Sequence, residues 1–266
     1  MTADITSDLA DDFGQPSRMA SSSIRRQKTV KGRGIAATII LSSVFSLLSS
    51  AFAAQPTGVL ATYDIYKGRM KIGRIEESYT RDKDRYTLTS TTRAVGLLAI
   101  FNPGRILISS NGLVGARGLQ PLRFSDQRER NESKDRRAEL DWDAKRLTLI
   151  QQAQRTSVAL PEGTQDRLSA MYQFMFLTLQ PGTTLDFPMT NGGKLDNYHY
   201  AITRGEPIKT PAGEFNTLYL DSQTKKGESR TEIWLATQQY NLPCKMIITE
   251  ANGDQLTQIL SKLDIR

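Results

Sequence analysis

From Val59 onward the chain repeats one pattern: short runs in which apolar, β-branched and aromatic residues alternate with polar ones, separated by Gly, Asn and Asp. Alternation of that kind places successive side chains on opposite faces of an extended strand. It predicts strands over residues 59–66, 71–80, 85–94 and 105–111, a charged hairpin over 123–137, and further strands over 194–203, 215–224, 230–236, 243–250 and 255–263. In the 85–94 run, Tyr86, Leu88, Ser90 and Thr92 fall on one face and Arg85, Thr87, Thr89 and Thr91 on the other, the pattern of a half-solvated antiparallel sheet. Asn252-Gly253, between the last two runs, is the strongest hairpin dipeptide in the chain.

Two segments break the rhythm. Residues 95–101 (VGLLAIF) are continuously apolar and end in Asn102-Pro103-Gly104, which suits either a short helix or a loop at the mouth of a sheet. Residues 166–179 carry the one helical pattern: Leu168, Met171, Tyr172, Met175, Phe176 and Leu179 recur at helical spacing, and Gln180-Pro181-Gly182 ends the run. Because Phe174 and Leu177 extend the apolar surface around the cylinder, this helix is expected to be buried on more than one side. The fold class expected is mainly β: an antiparallel, strongly curved sheet or barrel-like meander with one buried α-helix.

The first fifth of the chain is different in kind. No charged residue occurs between Gly34 and Tyr63, and Arg25, Arg26, Lys28, Lys31 and Arg33 stand directly before an apolar run over residues 35–48. A basic flank, an apolar stretch and then Ala51-Phe52-Ala53 make the order of an export signal, with cleavage expected after Ala53 and Ala54 as the next choice. An uncleaved anchor is the alternative, since residues 35–54 approach the length of a membrane span; the serines within it and the small-residue site oppose that reading. Asp4, Asp8, Asp11 and Asp12 make an acidic start unlike a signal, whereas Met19 opens a normal one, so translation is expected to begin at Met19. Residues 1–53 are thus an extension and signal peptide, and residues 54–266 a single β-rich domain of the periplasm. Without the first 53 residues the chain keeps 29 Lys and Arg against 24 Asp and Glu, an ordinary soluble surface that gives no reason to expect nucleic acid. The hairpin at 123–137 carries mixed charges, expected to be solvated. Cys244 is the one cysteine, so no intrachain disulfide can form.

Candidates for chemistry are few. His199 is the single histidine and sits between two tyrosines in an expected strand, as a sheet-face or pocket-lining residue rather than a general base. Cys244, beside Pro243 and far from any second thiol, reads as a small hydrophobe. One His and one Cys cannot close a zinc site. Asp141 and Asp143 flank Trp142, which would set two carboxylates on one strand face, but the following Ala-Lys-Arg marks a turn. No glycine-rich phosphate loop or nucleophile elbow is present, so no catalytic, cofactor or metal residues are assigned. Apolar surface is the positive signal: Leu98 and Phe101 from the insertion, with Met171, Tyr172 and Met175 from the helix, are candidate ligand-lining residues if they are not simply core.

The runs YDIYKGRMKIGRIEESY, GTQDRLSAMYQF, TPAGEFNTLYL and IWLATQQYNLPCKMIITEANGDQLTQIL together resemble the domain of unknown function 3108 family, exported proteins of Gram-negative bacteria, from about Val59 to Leu263. The resemblance implies an envelope location and one β-rich domain, and brings no activity. It matches Asp166 and Ser169 to the family's helix start, where the carboxylate would cap the first amides, and Pro211 and Gly213 to its turn. The expected role is a non-catalytic periplasmic binding protein for an apolar or lipid-like envelope component. The alternative is a scaffold or assembly factor that binds another envelope protein through a sheet edge or the charged hairpin. Contact with the membrane is expected only through the signal segment, if it is not removed. N-terminal sequencing of protein exported to the periplasm is expected to read from Ala54; a chain beginning upstream of residue 35 would refute cleavage.

Overall fold

The computed structural model describes residues 55–96, 99, 104–225 and 227–266. The export segment, Leu98 and Phe101 lie outside the described residues. Among the described residues the chain forms a 15-stranded sheet and a separate two-stranded ribbon. Its first half is a meander of β1 (Gly58–Lys67), β2 (Met70–Asp82), β3 (Arg85–Ala94), β4 (Arg105–Gly115), β5 (Gly118–Arg128), β6 (Arg136–Asp141), β7 (Arg146–Gln151) and β8 (Gln154–Ala159), each antiparallel to the one before. The second half enters at the opposite end. There β9 (Gln165–Asp166) lies parallel to β10 (Thr184–Thr190), followed by β11 (Leu195–Arg204), β14 (Thr217–Asp221), β15 (Arg230–Ala236), β16 (Leu242–Thr249) and β17 (Gln255–Ile265). β17 then pairs with β1, Val59 opposite Ile265, so the first and last strands of the domain stand side by side at the middle of the ladder. The ladder is open: β8 ends it on one side and β9 on the other, and residues 160–164 carry the chain between those two ends. No closed barrel is formed.

β12 (Ile208–Thr210) and β13 (Gly213–Phe215) make the ribbon. Pro211 and Ala212 form its turn, where the Thr210 hydroxyl accepts from the Ala212 amide at 3.1 Å and Gly213 takes a φ of 138°.

The strands follow the alternation that predicts them. Tyr86, Leu88, Ser90, Thr92 and Ala94 of β3 are buried, while their neighbours face outward or are half-buried. β7, β8, β9 and β10 lie where no strand is expected: Arg146–Gln151 and Gln154–Ala159 are short, β7 buries Leu147 and Leu149, and all six residues of β8 are exposed. β8 owes its form to pairing with β7 across a tight hairpin, Gln151 opposite Gln154, which its own composition does not carry. The hairpin over 123–137 departs from the solvated reading. Phe124, Asp126 and Arg128 are buried on the inner face of β5, because period-two alternation runs through the charged stretch and turns every second residue inward.

The expected helix over 166–179 is much shorter. Its first two residues of pattern belong to β9 and its flank, the α-helix α1 spans Ser169–Gln173, and Phe174–Phe176 form a single 3-10 turn before the backbone extends at Leu177. Asn241, held at a φ of 56° in the turn between β15 and β16, donates its side-chain amide to the carbonyls of Phe174 and Leu177 at 3.4 and 3.5 Å, which satisfies carbonyls that a continued helix would have used. The high apolar content of 166–179 reflects burial from all sides, not helix length: Leu168, Ala170, Met171, Tyr172, Phe174 and Met175 all belong to the main core.

Side chains staple this segment to the first half of the sheet. Gln165 Nε2 donates to the Leu119 carbonyl at 2.9 Å, and Gln173 accepts from the Leu119 amide at 2.7 Å while donating to the Arg117 carbonyl at 2.8 Å. Gly118 adopts a φ of 98°, and a Cβ there would collide with the Gln173 amide, so only glycine lets Gln173 reach the strand. Two residues before α1, Arg167 donates to Asp126 Oδ2 at 3.0 Å, with Arg128 at 3.6 Å from the same oxygen and all three side chains buried. Breaking a buried ion pair from one side leaves uncompensated charge. Asp126→Ala is therefore expected to destabilise the protein by about 3–5 kcal/mol in urea unfolding; a loss under about 1 kcal/mol would show that the pair does not pin the segment.

Candidate functional site

Two voids flank α1, one on each side. The smaller is a cavity of about 70 Å³ bounded by Arg167, Leu168 and Met171. Its wall is built by six successive strands of the ladder, β4, β3, β2, β1, β17 and β16. Five of them contribute residues two apart: Tyr63 and Ile65, Ile75 and Glu77, Ser90 and Thr92, Ile106 and Ile108, and Met246 and Ile248. Such spacing is the period of one sheet face. β17 adds Leu256 and Gln258 in the same way.

Glu77 is the carboxylate that this wall turns inward. Its Oε1 accepts from the Ser90 hydroxyl at 3.2 Å and its Oε2 from the Tyr172 hydroxyl at 3.1 Å. Burial pushes its carboxyl up to about 7, against the lowering effect of those two hydrogen bonds. Tyr63 and Tyr172 are raised well above the ordinary tyrosine value, first by burial and then by the charge of Glu77.

Asp166 lies nearby in sequence but serves the backbone. Its Oδ1 accepts from the amides of Leu168 and Ser169 at 3.0 and 2.8 Å, and its Oδ2 from Ser110 at 2.5 Å. The Ser169 hydroxyl returns the contact by accepting from the Asp166 amide at 2.9 Å, a reciprocal cap at the start of α1. Burial raises Asp166 to about 6, opposed by the hydroxyl and amide donors around it.

The larger void, about 880 Å³, is a groove on the other side of α1, bounded there by Ala170, Gln173, Phe174 and Leu177. Its remaining walls are the β4–β5 turn, the turn at 142–145, the connection through Leu160 and Glu162, and Leu185 to Phe187 of β10. Apolar side chains floor it: Leu119 and Leu160 are buried, and Phe187 stacks at 6.3 and 6.2 Å on Tyr198 and Tyr200. Trp142 is fixed at the edge by its indole N–H, which donates to the Pro121 carbonyl at 2.7 Å. Charged groups stand at the rim, among them Lys145, Asp143 and the ion-paired Arg117 and Glu162.

Of the candidate ligand-lining residues, Met171 borders the small cavity, Tyr172 reaches it only through its bond to Glu77, and Met175 packs in the core without bordering either void. Asp141 is a turn residue, accepting from the Ala144 amide at 2.9 Å, and Asp143 lies on the groove rim. His199 is exposed on β11 with Nδ1 2.6 Å from Asp186 of the adjacent strand. Cys244 is buried, donates to the Trp234 carbonyl at 3.3 Å, and has its thiol pushed up to about 12 by burial, the opposite of a nucleophile. Among the described residues no group of His, Cys, Asp and Glu could hold a metal ion, and no helix is long and apolar enough to cross a membrane.

Glu77 was legible in part. In Ile75, Glu77, Tyr79 the alternation places a carboxylate between two inward apolar positions. What alternation cannot say is that six strands converge there.

Residues 62–261 match the family model described as "Protein of unknown function (DUF3108)". The chain belongs to this family. No curated protein matches it. Among solved structures, a "putative lipoprotein" from Parabacteroides distasonis ATCC 8503 aligns at 10% identity with a TM-score of 0.34, covering 79% of this chain and 96% of that one. A "putative exported protein with YmcC-like fold" from Bacteroides fragilis NCTC 9343 aligns at 9% identity and a TM-score of 0.32, with the same coverage.

The two raised carboxyls set a pH dependence. Each holds its proton to a higher pH in the folded chain than in the unfolded one, so stability is fullest below the unfolded values of 4.5 and 3.8 and falls as pH rises through about 7 for Glu77 and about 6 for Asp166. Thermal unfolding is expected to show a higher Tm at about pH 5 than at about pH 8. Glu77→Gln is expected to remove the part of that slope near neutrality, worth a few kcal/mol; an unchanged slope would mean that the surroundings of Glu77 do not hold its proton.

Proposed function

We propose that this chain is a non-catalytic binding protein of the periplasm that holds an apolar, lipid-like component of the cell envelope in the groove beside α1. The observation that carries this reading is the groove itself: about 880 Å³, floored by Leu119, Leu160, Phe174, Leu185 and Phe187 and rimmed by charge. That size falls within the usual range of ligand pockets, and an apolar floor with a polar rim suits an amphiphile whose chain is buried and whose head meets water. The export segment ahead of the domain supports the compartment.

The reading also takes the sheet as strongly curved around α1. Fifteen strands laid flat would part the two ends by about 67 Å at the usual strand spacing. The connection through residues 160–164 spans about 23 Å at most when fully extended. The contact of six successive strands with one cavity of about 70 Å³ supports the same curvature. A second reading, a scaffold for another envelope protein, is supported by β8, whose six exposed residues end the ladder without proline or bulge, an edge on which a partner strand could add.

Solvent extracts of protein purified from the periplasm are expected to yield a co-purifying lipid by mass spectrometry. Leu185→Arg, at a half-buried position on the floor, is expected to lower uptake of a fluorescent fatty acid by about tenfold or more while unfolding within about 1 kcal/mol of the parent. Lipid-free extracts, with a protein partner recovered by a crosslinker at Thr156 of β8, would replace this reading with the second.

A further inference from the structure

The cavity on the Met171 side of α1 is separate from the groove, and one count of hydrogens gives it a chemistry of its own. Glu77, Ser90 and Tyr172 meet in two hydrogen bonds, at 3.2 and 3.1 Å. When Glu77 is ionised, the two hydroxyls supply two hydrogens for those two bonds, and the set is complete. When Glu77 is protonated there are three hydrogens for the same two bonds, whichever way each hydroxyl turns. One O–H is then left to donate, in a wall that is mainly apolar, with Ile65, Ile75, Ile108, Met171 and Ile248, and that carries Tyr63, Thr92 and Gln258 besides. A buried donor without an acceptor is unfavourable, and so is an ionised carboxylate facing apolar side chains. Space for about 70 Å³ is several times what a single water requires.

We propose that this cavity is a binding site for a small uncharged apolar molecule carrying one hydrogen-bond acceptor, of the ketone or ester class, and that it is filled while Glu77 holds its proton and emptied to water when Glu77 ionises. The acceptor takes the surplus O–H, and the apolar remainder lies against the isoleucines and Met171. A free carboxylate ligand fits poorly, since it would meet Glu77 with like charge on deprotonation.

Glu77 is the group facing the cavity whose charge changes near neutrality. Its carboxyl titrates at about 7. Tyr63 on β1 and Tyr172 on α1 are held far above that by burial, and Cys244 on β16 is pushed up to about 12. Arg167 borders the cavity with its guanidinium 3.0 Å from Asp126 and stays charged throughout. The facing residues of β3, β4 and β17 are Ser90, Thr92, Ile106, Ile108, Leu256 and Gln258, none of which titrates. Asp166, raised to about 6, does not border the cavity, and a substitution at Glu77 separates the two.

The test titrates the purified protein with methyl ketones of four to eight carbons, by calorimetry or ligand-observed NMR, at about pH 5.5 and about pH 8.5. With a midpoint near 7, the protonated fraction falls to about one part in thirty at the higher pH, so apparent affinity is expected to weaken about thirtyfold. Glu77→Gln keeps a neutral side chain with N–H donors and is expected to bind at both pH values with less than about twofold difference. Ile248→Trp, which fills the cavity, is expected to abolish binding, and Leu185→Arg in the groove to leave it unchanged. Absence of ketone binding at the lower pH, which would mean a cavity holding water only, overturns the proposal. An equal pH dependence in Glu77→Gln overturns it as well.

Discussion

The structure depends on how the segment from Gln165 to Gln173 is held. Its polar side chains are buried or half-buried, and nearly all of them spend their hydrogen bonds on the first half of the sheet: Gln165 and Gln173 on the main chain of residues 117–119, Asp166 on Ser110, and Arg167 on Asp126. The same segment pairs through β9 with β10 of the second half, and its end is capped by Asn241. A buried polar group left unpaired is costly, so this arrangement tolerates little displacement. A helix of only five residues could not hold such a position by its own stability. The sheet places α1, and α1 in turn divides the interior into the cavity and the groove.

The second organising constraint is the period of the strand. Because every second residue of six neighbouring strands faces the cavity, its character follows from a few positions: isoleucine or methionine at six, hydroxyls at Tyr63, Ser90 and Thr92, and one carboxyl at Glu77. The same alternation carries Asp126 and Arg128 inward from a stretch rich in charge. Inward-facing charge is rare unless paired, and here it is paired with the residue that leads into α1. Thus the polar groups inside this protein divide by task. Asp126 takes buried cations on one oxygen and Asp166 takes amides and a hydroxyl, and both fix the segment, while Glu77 has hydroxyl donors only and faces the cavity.

The chain by itself determined the strand faces. Alternation is clearest in β3 and through most of β16, where one side is buried and burial selects residue type at every second position, whereas β1 and β15 bury consecutive residues. It also marked the start of the helical segment, because Asp166 and Ser169 act on amides within three residues, and it marked the turns at Pro211 and at Asn252-Gly253, which are local in the same sense. Cys244 read as a hydrophobe for a reason that needs no partner: a thiol among apolar neighbours keeps its proton.

Tertiary structure alone decided the rest. β9 forms because β10 lies beside it, the backbone leaves the helix with Asn241, far along the chain, holding the carbonyls of Phe174 and Leu177, and the charge that the hairpin turns inward at Asp126 is paired with Arg167. Each of these is an interaction between residues distant in sequence, and hydrophobic periodicity reports only which face of its own strand a residue occupies. The opposite face, where Glu77 finds Tyr172 from 95 positions away, is settled by the order in which the strands are assembled.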